Sequence, residues 1–312
     1  MKILILVITC LCYSLVSNAA PSSSSSLKNL HQYALSIGNE NFDNKILSFS
    51  KYFLSKPYDT EIGNNLIIWD QTRNKINLIN LDSFDCFSYL EMVLALSKIQ
   101  TPNPNLEEFT NQLADNLATI MFSSDNIDYA SRNHFMDEWL RNNKNIIEEN
   151  VFTKLNYSKL KSAKINKAGL LKNQIKNYAD KTLNESQSQQ FIDKYNNLIN
   201  DSTPYESSIK YISFSDFLLH QKELTQDLQG KIYIITIIMD NPKLLELTGS
   251  EHNIAHVGFV FTKAGQLYLR HATSVGSKSV EEISLVDYVN AKKQSKVLIG
   301  FTLFNLQNSP QL

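Results

Sequence analysis

Cysteine is scarce: 312 positions hold 3, and Cys10 and Cys12 both fall in an apolar run at the start of the chain. With that run removed, Cys86 stands alone, so no disulfide can form within the chain. One thiol and scattered histidines are a poor source for the three or four ligands of a zinc site, and no metal is expected. An excess of either charge is also missing. Lysine and arginine total 30, aspartate and glutamate 31, for a net charge of -1. That leaves no basic field to hold nucleic acid and no bulk charge to bind an anionic membrane. No internal repeat is visible. The N-terminal apolar stretch, Ile3 to Leu15, is too short to span a bilayer comfortably, so no stable membrane insertion is expected.

What is present begins with an export signal. Lys2 supplies the positive end, Ile3 to Leu15 the apolar segment, and Ser17 and Ala19 the small residues a signal peptidase reads. Residues 1–19 are expected to leave after Ala19, placing the protein in a periplasm or outside the cell. A lipoprotein would need Cys10 or Cys12, yet both lie inside the apolar run, preceded by Thr9 and Leu11. Residues 20–26, rich in serine, read as a flexible leader. At 43% hydrophobic and 20% charged residues, the remainder is globular in character. Residues 27–312 read as one domain.

The stretch from Asp82 to Ser97 organises that domain. Asp82 and Ser83 are good N-cap types, and Phe87, Leu90, Val93, Leu94 and Leu96 follow helical spacing. Cys86 then falls in a first turn, at the positive end of the helix dipole. Helix N-termini and cationic neighbours bring a thiol from about 8.5 down to roughly 3.5–7.5. A buried, inert cysteine is the bland alternative. In an oxidising compartment, a single thiol points instead to chemistry or to an intermolecular bond.

Around it, Leu27 to Ser36, Ile46 to Leu54 and Leu106 to Phe122 have helical patterns, with Gly38 and Pro57 as stops. Leu66 to Trp69 and Ile76 to Ile79 read as short strands joined by a turn from Asp70 to Lys75. A polar segment at about 156–200 reads as a helical insertion packed over the domain. Strand signals return at Tyr211 to Ser213, and Phe217 to Leu228 reads as one helix ending at Gly230. Ile232 to Met239 is a β-branched run expected in a sheet centre, buried on both faces. Ala255 to Phe261 and Gln266 to His271 form a hairpin pattern, followed by a helix at Leu285 to Ala291 and a strand at Val297 to Phe304. The fold class is α+β, helical first and antiparallel later.

A nucleophilic Cys86 needs a base and a group to orient that base. His256 and His271 stand on the two arms of the hairpin. A two-residue turn at Ala264-Gly265 makes them diagonal neighbours on one face; a four-residue loop from Thr262 to Gly265 makes them directly opposite. A bulge would break this parity. His252 shares it but lies about 13 Å further along a strand. His31 and His220 fall in helical stretches and read as ordinary residues. Each histidine taken singly reads as structural.

Asp85-Cys86 at a helix start, Ala255-His256-Val257-Gly258 on one strand and Arg270-His271-Ala272 on the next resemble the NlpC-type papain-like cysteine hydrolases. The N-acetylmuramoyl-L-alanine amidase-like branch is the closer match. Pro57-Tyr58, Arg132-Asn133-His134-Phe135 and Trp139 also fit it. The likeness implies a papain-like α+β fold, with the Cys86 helix at the N-terminal side of the core packed on a C-terminal antiparallel sheet. It implies Cys86 as nucleophile, His256 as base, His271 as orienting residue and Tyr58 near the oxyanion. Arg132, Asn133 and His134 are candidate sugar or peptide contacts, with a structural role as the alternative. The substrate implied is peptidoglycan or its muropeptides, cut at the N-acetylmuramoyl-L-alanine amide without a cofactor. An endopeptidase cutting after D-Glu, a non-catalytic wall-binding protein and a lipid acyltransferase are the rivals. Acyltransferases of related fold usually place the histidine before the cysteine; here Cys86 comes first.

Overall fold

The first described helix, Ser24–Ile37, takes in the last three residues of the expected leader. The protein is seen here in a computed structural model, which describes residues 24–60, 75–100, 105–124, 127–199 and 203–307. The expected signal segment and the expected strand at Leu66 to Trp69 lie outside those residues. A second helix, Phe42–Tyr52, is capped by Asn41, whose side chain accepts the Asn44 N–H. Ile76 to Ile79 is not a strand: Lys75–Leu78 forms a single 3-10 turn.

Cys86–Ser97 is a helix, starting later than Asp82 or Ser83 would place it. Asp85 is the cap. Its carboxylate accepts the Ser88 N–H, and the Ser88 hydroxyl accepts the Asp85 N–H, a reciprocal capping box that satisfies two end amides at once. Leu106–Met121 follows, capped by Asn105, and then Met136–Asn142.

Among the described residues eight strands build the sheet: β1 Ile147–Asn150, β2 Lys159–Ile165, β3 Tyr205–Ser213, β4 Ile232–Met239, β5 Ile254–Lys263, β6 Gln266–Ala272, β7 Val280–Ser284 and β8 Leu298–Leu306. Their order is β2-β3-β8-β4-β5-β6-β7, with β1 beside β8, and each pair is antiparallel. β4 lies centrally and all eight of its residues are buried, as its unbroken apolar run predicts. The segment at 156–200 departs from an all-helical reading. It opens with β2, an edge strand carrying Lys159, Lys161 and Lys164, before the helices Lys167–Thr182 and Glu185–Ile199. Lysines on an edge discourage further strand pairing. The expected helix at Phe217 to Leu228 is two, Phe214–Leu219 and Gln221–Asp227, broken where His220 leaves helical geometry and stacks on Tyr157.

Alternate residues of the sheet serve two cores. Ile234 and Phe259 face the N-terminal helices, where Leu90, Val93 and Leu94 of the Cys86 helix meet Phe49 and Phe109. Ile235, Ile237, Val260 and Leu269 face the other way, against Phe214, Phe217, Leu285 and Val289. Each such side chain contributes roughly 1.5–3 kcal/mol by leaving water. The Cys86 helix is thus clamped between other helices and the sheet, and its N-terminus is held in place by that packing.

Candidate active site

Cys86 occupies the first position of its helix, is 4% exposed and is in no disulfide. Packing along the helix fixes where the sulfur can lie. Its approach is tied down as well. Phe84 pairs in parallel with Tyr58, donating its N–H to Pro57 O at 3.0 Å and accepting the Asp59 N–H at 3.0 Å. Tyr58 N–H in turn donates to Lys278 O at 2.8 Å, and Pro57 bridges to Ser279 at the edge of β7. The Pro-Tyr segment therefore links the entry to the Cys86 helix with the far hairpin of the sheet.

On the sheet, β5 and β6 turn over Ala264-Gly265, and Lys263 pairs with Gln266 and Phe259 with Arg270. This is the two-residue register, so His256 and His271 sit diagonally on one face. His256 Nε2 lies 2.6 Å from His271 Nδ1, with the rings nearly perpendicular at 82°. His271 is buried and meets the edge of Tyr288. A cavity holds the two halves together. Cys86 and His256 both line it, with Phe87, His134, Phe135, Asp137, Leu170, Gln174, Met239, Leu244, His252, Ile254 and Val257 among its other walls. A thiol at a helix N-terminus and an imidazole braced by a second imidazole can divide a proton between sulfur and nitrogen.

A family model of N-acetylmuramoyl-L-alanine amidase-like proteins matches residues 48–297. The chain belongs to this AmiA-like family. Solved structures agree on the fold. One, from Legionella pneumophila, is 20% identical over 90% of this chain and 93% of its own, with a TM-score of 0.72. An N-acetylmuramoyl-L-alanine amidase from Bacteroides uniformis is 19% identical over 85% of this chain and 99% of its own, with a TM-score of 0.55. No curated protein matches the sequence.

In this AmiA-like chain the Arg-Asn-His block is drawn inward. Arg132 Nη1 and Nη2 meet Glu91 Oε1 and Oε2 at 2.6 and 2.5 Å, and Nη1 also donates to Met121 O. Its guanidinium lies 5.1 Å from the Phe87 ring centre. Burial pushes the Glu91 carboxyl up to about 7, against the pull of Arg132. Asn133 is fully buried, donating to Ile120 O and accepting from Asn142. Neither Arg132 nor Asn133 lines the cavity; His134 does, with Nε2 2.6 Å from Tyr129 O. Burial, with Lys167 nearby, holds His134 well below the ordinary imidazole range.

Two cavity residues, Asp137 and Gln174, escaped sequence reasoning, and a third, His252, figured there only as a base candidate further along the strand than His256. His252 packs on Phe135, ring centres 4.6 Å apart, and burial lowers it to about 4, so at neutral pH it is an uncharged wall group. Asp137 sits on a short helix and is held by Ser207 Oγ at 2.5 Å and Asn253 Nδ2 at 2.9 Å. Burial raises its carboxyl despite those bonds. Gln174 accepts from Tyr129 OH at 2.9 Å. All depend on contacts between distant segments, and nothing local in the sequence marks them. Among the described residues no cluster of three potential metal ligands occurs, and no helix is long and apolar enough to cross a membrane.

Proposed function

We propose that this chain is an exported, papain-like cysteine amidase acting on peptidoglycan fragments, at the amide between the muramic acid lactyl group and L-alanine. The observation that carries the reading is the shared cavity of Cys86 and His256, with His271 hydrogen-bonded behind His256. Membership of the amidase-like family supports the choice of bond.

Cys86 Sγ attacks the amide carbonyl carbon as its proton passes to His256. The carbonyl oxygen becomes an oxyanion, stabilised by the Cys86 backbone N–H; Tyr58, which lies beside Phe84 and is not among the cavity's lining residues, is the candidate second donor. One lost donor of that kind costs about 100–1,000-fold in rate. His256 then gives its proton to the leaving amine of L-alanine, and the C–N bond breaks. Water, deprotonated by His256, releases the lactyl acid from sulfur. His271 holds the His256 ring in plane for both transfers. Arg132 and Asn133, turned away from the cavity, serve as its frame; His134 is the member of that block placed to meet substrate.

Muropeptide digestion followed by mass spectrometry tests this. Wild type releases the intact stem peptide with a free L-alanine amine, and Cys86→Ala lowers the rate by more than about 1,000-fold. Cleavage after D-Glu assigns the endopeptidase activity instead. Full activity in Cys86→Ala rules out the mechanism.

A further inference from the structure

The polar line across the sheet does not stop at His271. Glu281 stands opposite His271 on β7. His271 Nε2 is buried and makes no hydrogen bond, and Glu281 Oε1 lies 3.5 Å from it. The other carboxylate oxygen, Oε2, accepts from Ser277 Oγ at 2.6 Å, which aims the group. At 3.5 Å the approach to His271 is an ion-pair distance and too long for a formed N–H···O bond. Contacts of this kind often tighten when substrate closes the site.

We propose that Glu281 is a positioning residue, whose carboxylate selects the His271 tautomer that leaves His256 able to act as a base. The proposal rests on the reading of Cys86, His256 and His271 as the reacting groups. A carboxylate can only accept, so it favours a proton on His271 Nε2. The neutral His271 ring then has a lone pair at Nδ1, which accepts the N–H of His256 Nε2. With its proton there, neutral His256 keeps a lone pair at Nδ1 for the thiol proton. In the other tautomer, His271 Nδ1–H donates to His256 Nε2. Neutral His256 then carries its proton on Nδ1 and cannot take another at that atom. Once His256 is protonated, both nitrogens carry hydrogen, and the carboxylate charge favours that imidazolium through His271.

The surroundings keep Glu281 in its accepting form. The neighbouring His271 imidazole, and secondarily Ser277, hold its carboxyl below the usual range despite partial burial. Glu282 is occupied separately, with Arg270 and Lys263. Tyr288 borders His271 from the helix Leu285–Lys292, and Lys292 lies beyond its ring at 5.9 Å.

The test is Glu281→Gln in the full chain, assayed on muramyl dipeptide across pH beside wild type, Glu281→Asp and Cys86→Ala. The glutamine amide N–H donates to His271 Nε2 and favours the unproductive tautomer. We expect kcat/KM to fall by about 10–100-fold, the range seen for carboxylates that orient a metal-bound histidine. The alkaline limb of its pH profile should move to lower pH, because the imidazolium loses its counter-charge, while the melting temperature stays at the wild-type value. Glu281→Asp keeps the charge and should keep the wild-type limb. An unchanged kcat/KM in Glu281→Gln, or a loss with an unmoved limb, overturns the role of Glu281 while Cys86→Ala is inactive. An active Cys86→Ala overturns the underlying reading instead.

Discussion

At the scale of single residues, Gly258 has the most constrained surroundings. A Cβ there would come within 2.8 Å of Arg270 O and 2.9 Å of His271 Cβ. Two imidazoles can lie on this face because the residue between them has no side chain. Gly258→Ala should push β6 outward and shift His271, and a misplacement of about 1 Å can cost 100-fold in rate. Steady-state kinetics beside thermal melting should show activity falling far more than stability. Glu91 and Arg132 work differently. Both are buried, so Glu91→Ala leaves a guanidinium unpaired and should destabilise the fold by about 3–5 kcal/mol in urea unfolding. His252 sets an acid-side dependence. Its folded value of about 4 lies below the ordinary 6.5. The unfolded chain therefore binds more protons between those values, and stability rises with pH through that window. Stability should be lost as pH falls from about 6.5 to 4, and His252→Phe should flatten that slope in pH-dependent melting. Cys86, His256 and His271 could be read from residue type and spacing. Glu91, His252 and Gly258 could not be assigned a role that way, because each has its meaning through a neighbour far away in sequence.

At the scale of elements, the β5–β6 hairpin carries the most consequence. Ala264 and Gly265 both adopt positive φ, 50° and 74°, the two-residue turn whose twist suits antiparallel strands. Ala264 has no conformational excuse for that geometry, and Ala264→Gly should stabilise the fold by about 0.4–1 kcal/mol in denaturant melts. Inserting one residue into the turn should abolish hydrolysis while sparing most of the sheet, since a one-residue slip sends His271 to the opposite face. The two possible registers of this hairpin were visible in the sequence, and backbone pairing chose between them. Long periodic elements such as Leu106–Met121 and β4 were also legible. The misread ones were short. Lys75–Leu78 winds into a 3-10 turn, and β1, β2 and β7 were not foreseen, because their pairing with β8, β3 and β6 supplies what their own residues lack.

At the scale of the whole molecule, the segment after β2 closes the cavity. Leu170 and Gln174, on the helix Lys167–Thr182, form part of its wall. That helix is pinned by Lys167 Nζ, which donates to Glu138 Oε1 at 2.7 Å and Arg132 O at 2.8 Å. Lys167 is itself lowered by burial. Lys167→Met should raise KM more than it lowers kcat, and limited proteolysis should then cut first within 167–199, because the pin is lost while Cys86, His256 and His271 stay on other elements.

By itself the sequence determined which groups are available and on what elements: one thiol at a helix start, two histidines on a hairpin, and enough apolar residues to bury a helix against a sheet. Residue type and local periodicity are sufficient for that. Only the tertiary structure decided what surrounds those groups. Burial sets which carboxyls and imidazoles stay charged, and strand pairing brings Glu281 to His271. Both depend on segments that meet in space and leave no periodic trace along the chain.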